Sequence, residues 1–177
     1  SVTAPRALLN MTFTPTGSPI SLTIAKDTKF TTSISGQNYT FTTTASKTIY
    51  PSGGVYSVTN LPIKEGKILN KSYTVDLADT TQRFVIPNAN VDTSTIDITV
   101  QNSASDTTVV TWTDGNSLDV TTITSNQKVY FLQEVEEGKY EIIFGDGSVG
   151  KQLADGNIIF IEYLVTRGIE ANKASSF

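Results

Sequence analysis

The sequence predicts a mainly β protein, made of two small antiparallel β domains of sandwich or barrel type with little helix. Threonine is abundant, as in Phe41–Thr44 and Thr121–Thr124, and branching at Cβ suits the extended chain better than the helix. Apolar residues alternate with polar ones in short runs, which is the period of a strand with one buried face. Ser, Asn and Gly interrupt these runs at short intervals, as expected of many short strands joined by turns.

Five alternating runs predict the strands of the first half of the chain. Turn-forming residues separate them, such as Pro15–Pro19 and Ser35–Asn38. The predicted strands contain Leu9–Phe13, Ile20–Ile24, Phe30–Ile34, Tyr39–Phe41 and Val55–Val58, the last of them ended by Leu61–Ile63.

The second half continues the β pattern after one polar segment. Lys64–Lys71 is predicted to be slightly helical, although Gly66 weakens a helix there. Lys128–Val135 is apolar on both faces, which predicts a central strand. The other predicted strands contain Tyr73–Leu77, Phe84–Pro87, Ile96–Val100 and Val109–Thr113.

These elements predict a division of the chain near Ala78–Gln82. The first β domain would span residues 1–82, and the second, which carries a Phe-Gly-Asp-Gly hairpin, residues 83–168. Residues 169–177 are expected to be a linker to a missing region. The chain starts at Ser1 without a methionine, so we expect a central or C-terminal fragment of a longer protein.

The most distinctive segment is the glycine-rich connection in Lys139–Gly168. Tyr140, Ile142 and Phe144 alternate before it, and an alternating apolar run follows from Ile159, so it is predicted to join two strands. We expect the glycines to adopt positive φ and the Asp side chain to accept hydrogen bonds from nearby backbone N–H groups. The residues of this structural turn signature are Gly145, Asp146, Gly147, Gly150 and Gly156.

The same segment superficially matches a phosphate-binding loop. Gly145 to Lys151 has the spacing G-x-x-x-x-G-K, but Gln152 stands where a P-loop has the Ser or Thr that holds magnesium. A P-loop also opens a helix, whose N-terminus supplies N–H groups to the phosphates. The link before the apolar run at Ile158 is too short for one, so we predict no nucleotide site and no cofactor.

Composition excludes several classes of function. The chain of 177 residues has no cysteine and no histidine, which removes thiolate sites, the usual general base at neutral pH and the commonest zinc ligand. The net charge is −4 with scattered basic residues, unlike the basic stripe of a nucleic-acid binder. No apolar run reaches the ~18 residues of a membrane span. We expect no nucleic-acid, membrane or small-molecule partner.

Two acidic groups are candidate sites that fit turns better. Glu134, Glu136, Glu137 and Glu141 could form a carboxylate pair, but they flank a glycine turn, which favours solvated charges over a pair with a raised pKa. Asp114, Asn116 and Asp119 lack the spacing of a calcium loop. We therefore predict neither catalytic residues nor a metal site.

Tyrosines provide a third candidate. Tyr39, Tyr50, Tyr56 and Tyr73 could form an outward-facing carbohydrate platform, although aromatic residues in sheets are more often core residues or cross-strand pairs.

Several blocks of the chain, in order, resemble the baseplate J-like family, and among it the baseplate wedge proteins of T-even-like contractile-tailed bacteriophages. The first is Leu22–Phe30 followed by Tyr39–Thr44, with Asp27 where many members have Gly. Further blocks are Gln82–Asn88 with Val91–Ile96, and Gly168 with Ala171-Asn172. The most specific is Val129–Glu134 leading into Tyr140–Gly147, Gly150-Lys151 and Asp155–Asn157.

This resemblance implies a structural subunit and no enzyme. Such proteins form a ring around the tail hub, bind one another and other wedge and hub proteins, and take part in the switch that triggers sheath contraction. The implied location is the tail baseplate of the virion, assembled in the host cytoplasm. The alternative is a host-receptor or carbohydrate-binding module of a tail fibre or adhesin; a glycosidase with two buried carboxylates is a more distant one.

Overall fold

The computed structural model describes residues 2–168 and confirms the predicted fold class: strand accounts for 51% of the chain and helix for 5%. The helical part within residues 2–168 consists of the 3₁₀ turns Gly115–Ser117, Val120–Thr122 and Glu136–Gly138. The strands are β1 (Arg6–Phe13), β2 (Leu22–Ile24), β3 (Lys29–Ile34), β4 (Gln37–Thr43), β5 (Lys47–Ile49), β6 (Tyr56–Glu65), β7 (Lys67–Thr74), β8 (Val85–Ile86), β9 (Val91–Gln101), β10 (Val109–Asp114), β11 (Val129–Glu134), β12 (Tyr140–Phe144) and β13 (Ile158–Val165).

The described chain forms two compact units. One, the split unit, contains residues 2–68 together with 164–168, and the other, the continuous unit, contains residues 69–163. Compact packing does not report which segment folds alone, so the division at residues 82 and 83 stays a prediction. The predicted linker 169–177 lies outside the described residues.

The split unit is built on an antiparallel sheet in the order β1-β6-β4-β3, with β2 and β5 forming a separate pair. Its core contains Ile24, Tyr39, Phe41, Ile49, Tyr56, Val58, Leu61 and Ile63. Within β4 and β6 these residues alternate as the period of a strand requires, except between Val58 and Leu61, where the register with β1 shifts. The turn before β3 contains Asp27 at φ +64°. Glycine adopts this conformation freely and Asp tolerates it, so Asp27 suits the turn.

Two predictions fail where β6 passes into β7. The strand was expected to end at Leu61–Ile63, but it continues through Pro62 to Glu65. At Pro62 the strand is paired on one side, with Leu8 of β1, because the pairing with β4 starts at Ile63. Proline is tolerated where one side of a strand has no ladder partner. The slightly helical segment Lys64–Lys71 is also wrong, since β7 already begins at Lys67.

The continuous unit is built on a seven-stranded sheet in the order β7-β13-β9-β10-β11-β12-β8, which curves into a nearly closed, barrel-like form. The predicted central strand is confirmed, because β11 lies between β10 and β12. The sheet departs from the antiparallel prediction between β10 and β11, which are parallel. The 3₁₀ turns between them provide the crossover that a parallel pair needs.

A chain of aromatic rings connects the two edge strands of this sheet. Tyr73 of β7 packs edge-on against Phe84, with centroids 5.6 Å apart, and Phe84 packs against Phe144 of β12 at 5.8 Å. Phe144 in turn contacts Trp112 at 5.2 Å. The Tyr73 hydroxyl also donates to the Val85 carbonyl in β8 at 2.5 Å. Each ring pair contributes ~1 kcal/mol beyond its burial, so the rings stabilise the near-closure.

The predicted Phe-Gly-Asp-Gly hairpin is wrong. Strand β12 lies between β11 and β8, whereas β13 lies between β7 and β9, so the glycine-rich connection joins strands that do not pair. The hairpin is formed instead by β11 and β12, and the pair nearest its turn is Glu134 with Tyr140. A strand–connection–strand pattern does not reveal this, because pairing is decided by contacts far apart in sequence.

Within residues 2–168, the helical segments lack the length and apolar character that crossing a bilayer would require.

Gly66, between β6 and β7, is expected to be intolerant of a side chain. Its φ is +137°, and an added Cβ would lie 2.7 Å from Leu164 Cδ2 and closer still to the Val165 carbonyl oxygen. We expect Gly66→Ala to lower the free energy of unfolding by about 3 kcal/mol, from strain and overpacking together. Urea denaturation measures it.

Gly36→Ala is the matched control. Gly36 also has positive φ, but nothing lies within 4 Å of its added Cβ, so we expect a loss of about 1 kcal/mol. Equal losses in the two variants would show that the close approach at Gly66 has no energetic weight.

Candidate functional site

The glycine-rich connection, residues 145–157, is held closed by two glycines that face each other. A Cβ on Gly145 would lie 2.7 Å from Gly150 Cα and closer still to the carbonyl group of Gly150. Gly147, Gly150 and Gly156 adopt positive φ, of 88°, 81° and 78°. The expectation of positive φ fails at Gly145, which is constrained by this close approach instead.

Asp146 organises the first turn of the connection. Its Oδ1 accepts hydrogen bonds from the backbone N–H groups of Ser148 at 2.8 Å and Val149 at 3.0 Å. These bonds lower the pKa of the Asp146 carboxyl, with the bond from Val149 the largest cause. Gly147 N donates to Gly150 O. The amides that a phosphate cradle would need are thus used within the turn.

The connection is fastened to the segment before β11. Gly150 N donates to Thr124 O at 3.2 Å, and Lys151 N donates to Gln127 O at 2.8 Å. Gly150 also lies so close to Val129 that a Cβ would meet its Cγ2 at 2.6 Å. Gly150 and Lys151 therefore hold the connection against the segment before β11. The close approach to Val129 explains why residue 150 is a glycine.

The end of the connection is fastened to the segment that follows β7. Asp155 Oδ1 accepts from Leu77 N at 2.9 Å, and Gly156 N donates to Val75 O while Val75 N donates to Asn157 O. Asn157 Nδ2 also donates to Asn102 O at 2.8 Å. Asp155, Gly156 and Asn157 thus anchor the connection to two further segments of the continuous unit.

A groove of about 360 Å³ lies beside this anchor. We call it the 75–84 groove. One wall is the segment 75–84, and the other is formed by 141–145 and 152–153. Its floor includes the buried side chains of Val75, Ile142 and Leu153, and Leu77 and Ile143 stand exposed at 53% and 40%. The volume is at the low end of the range for binding pockets.

The segment 75–84 is held in shape by its own side chains. Asp76 Oδ1 accepts from Ala78 N, and Asp79 Oδ1 accepts from both the N–H and the hydroxyl of Thr81. Gln82 accepts from Asp76 N and donates to Thr74 O at 2.7 Å. The wall is therefore formed before any partner binds.

An ion pair crosses the groove rim. Arg83 donates to Glu141 through Nε at 2.9 Å and Nη2 at 2.6 Å, which is the bidentate geometry that suits a guanidinium. The hydrogen bond from Arg83 is the largest cause of a lowered pKa of the Glu141 carboxyl, and the same bond raises the pKa of Arg83. Neither residue was predicted as a partner of the other.

Five of the six acidic candidates have separate partners. Besides Glu141 with Arg83, Glu137 pairs with Lys139 at 2.6 Å, and Glu134 accepts a long bond of 3.5 Å from the Tyr140 hydroxyl. Asp114 and Asp119 accept from Asn116 N and Thr121 N at the start of 3₁₀ turns. Among residues 2–168, no three acidic side chains converge in a way that could hold a metal ion.

The tyrosine platform does not form. Tyr39 and Tyr56 are buried, with 5% and 2% of their surface exposed, because they share the inward face of their strands with Phe41 and Val58. Tyr73 is half-buried and donates to Val85 O. Only Tyr50 of the four is well exposed, at 70%. The carbohydrate-binding alternative therefore loses its candidate face.

Sequence reasoning missed a buried polar cluster around Glu65. This carboxyl group is 2% exposed, and its Oε2 accepts from the Thr166 hydroxyl at 2.6 Å and from Arg167 N at 2.9 Å. Arg167 Nη1 donates in addition to Asn38 O at 3.3 Å. The burial of Glu65 could have been predicted from the sequence, because the alternation of Leu61 and Ile63 puts residue 65 on the buried face.

Comparison with protein families identifies a match that covers much of the second half of the chain. Residues 67–169, more than half of the chain, match the family described as bacteriophage baseplate wedge protein gp6, third domain. The ends of the match fall next to Glu65 and Thr166. The comparison with curated proteins gives no match.

Gly145→Ala is expected to disrupt the connection, because the added methyl group would overlap the backbone of Gly150. We expect a loss of more than about 2 kcal/mol in the free energy of unfolding. Gly147→Ala is the control, with φ +88° and its nearest neighbour, Gln152 Oε1, at 3.8 Å, and should cost about 1 kcal/mol. A smaller loss at Gly145 than at Gly147 would contradict the packing argument.

The Arg83–Glu141 pair predicts a pH dependence. The pKa of Glu141 is lowered from its ordinary 4.5, so the pair stabilises the fold above that pH, and the contribution is lost as pH falls through the lowered folded-state value. Arg83→Gln should reduce the urea midpoint near neutral pH and flatten its decline between about pH 6 and about pH 3.

Lys139→Gln is the matched control for that measurement. It removes an ion pair whose carboxylate side chain, on Glu137, is 75% exposed, so its effect should be smaller. If the two variants show the same pH profile, the Arg83–Glu141 geometry has no special effect on stability.

Proposed function

This chain belongs to the family of bacteriophage baseplate wedge protein gp6, and from that membership we propose that it forms part of the ring around the tail hub and takes part in the switch that triggers sheath contraction. Membership itself makes the chain a structural component of the tail baseplate in the virion. The match over residues 67–169 is the observation that carries the proposal.

The partners that we propose are further copies of the chain and the other wedge and hub proteins. A baseplate wedge protein associates with other baseplate proteins, and a ring adds contacts between copies. A stable contact of this kind buries more than ~1,000 Å². The sheet order supplies edge strands at β1, β3, β7 and β8.

The paired strands at the ends of the match suit a part that transmits force. β7 and β13 are neighbours in the seven-stranded sheet, and Gly66, just before β7, lies against the carbonyl group of Val165 at the end of β13. The start of β7, where the match begins, therefore lies beside the end of β13. A displacement applied to this sheet would be carried through two hydrogen-bonded strands, which resist extension together.

We propose no catalytic step. Support comes from how the polar groups are used: the Asp146 carboxylate and the loop amides satisfy one another, and Glu141 is neutralised by Arg83. The chain also has no histidine or cysteine, the residues that most often transfer protons or act as nucleophiles at neutral pH.

Electron microscopy of labelled tails tests the proposal. Fab fragments against the exposed turn at Ser35-Gly36 would be imaged on extended and contracted tails. We expect a ring of label at the distal end of the tail, with a larger diameter after contraction. Label on fibres or along the sheath would contradict the proposed position. Label at the baseplate with an unchanged diameter would refute the part in switching and leave the structural role.

A further inference from the structure

We infer that the 75–84 groove is a docking site for a segment of another baseplate protein, one that carries a large apolar side chain flanked by Lys or Arg. The inference rests on the proposed function, because it presupposes a chain assembled with other baseplate proteins. It adds the position of one heterologous contact and the chemistry of the partner.

The groove has the apolar surface that an anchor side chain needs. Val75, Ile142 and Leu153 form a buried floor, while Leu77 and Ile143 leave large parts of their side chains in solvent. Phe84 and Phe144, from the ring chain that bridges the sheet edges, also line it. Exposed apolar side chains beside a concave apolar floor are typical of protein-binding sites.

The rim of the groove selects for positive charge. Its lining contains three acids, Asp76, Asp79 and Glu141, and one base, Arg83, which gives a formal charge of −2. Arg83 already satisfies Glu141, which leaves the carboxylates of Asp76 and Asp79 facing solvent. Hydrogen bonding from Thr81 lowers the pKa of Asp79, so this charge persists in mild acid.

The shape of the groove is fixed before binding. Asp76 and Asp79 each cap a backbone N–H two residues on, Gln82 bridges the two ends of the segment, and Asp155 holds Leu77 N at 2.9 Å. A preformed groove loses little conformational entropy when a partner binds. A Lys or Arg side chain suits it, because the aliphatic stem can cover Leu77 while the charge meets the rim.

Photocrosslinking in assembled baseplates tests the inference. A benzophenone amino acid would replace Leu77 at the rim and, as a control, Val120, which is 57% exposed on a 3₁₀ turn outside the groove. We expect position 77 to crosslink to a different virion protein, in a peptide that contains a large apolar residue next to Lys or Arg. Position 120 should not yield that peptide.

Charge removal makes the test specific. Asp76→Asn with Asp79→Asn removes two charges and keeps both capping oxygens, so the fold should be retained. Asp114→Asn with Asp119→Asn is the matched control, because these residues also cap an N–H two residues on. We expect the first pair to reduce crosslinking at position 77 about two- to tenfold, more at low salt, and the control pair to leave it unchanged.

Four results would overturn the inference. These are a crosslink to a segment without basic residues, a crosslink to another copy of this chain, no crosslink above the level at position 120, and equal yields from the two Asn pairs. Any of them in baseplates that contain the chain refutes the groove alone. Absence of the chain from purified baseplates would refute the proposed function, and the groove with it.

Discussion

The split unit depends on one buried carboxyl group. Glu65 Oε2 accepts from Thr166 and Arg167, residues about a hundred positions further along the chain, and Glu65 N donates to Pro5 O. The adjacent Gly66 N donates to Thr40 O. Three segments remote in sequence thus meet at one dipeptide. Removing such a buried acceptor leaves donors unsatisfied, which costs about 1–3 kcal/mol each, so this point constrains the strands that lead into and out of the family-matched segment.

The sequence predicted local structure well and long-range contacts poorly, for physical reasons. The alternation of apolar residues identified β9 and β13, because every second side chain of a strand points to the same face of the sheet. The same rule, applied further, would have placed Tyr39 beside Phe41 in the core and Glu65 beside Ile63. Strand pairing could not be predicted from the sequence. The residues that follow Phe144 resemble a hairpin turn, and only the sheet order shows that β12 and β13 are not neighbours. The groove combines the segment 75–84 with 141–145 and 152–153, and no short motif predicts that combination.

Close packing explains Gly145 and Gly150 of the glycine-rich connection. Gly145 and Gly150 face each other at backbone distance, and Gly150 also lies against Val129, so the spacing that imitates a phosphate-binding loop reports where two strands' ends are fastened. Asp146 and Asp155 then use their carboxylates on backbone N–H groups. The amides of the connection are used within its turn or on neighbouring segments, which suits a structural subunit. The adjacent groove is the part of this region left open to a partner.

A double-mutant cycle between Glu65 and Thr166 tests the central claim most directly. Glu65→Leu and Thr166→Val would be measured singly and together by urea denaturation. Asp119→Leu and Thr121→Val form an exposed control pair, which is also joined by a hydroxyl–carboxyl hydrogen bond, of 2.7 Å. The buried hydrogen bond predicts a coupling free energy of about 1–2 kcal/mol, because Thr166→Val should cost more stability when Glu65 is present than when it is Leu. The bond that Gly168 N donates to Thr166 Oγ1 is lost in both backgrounds and cancels in the cycle. The control coupling should stay below about 0.5 kcal/mol. A Glu65–Thr166 coupling as small as that of the control would contradict the account.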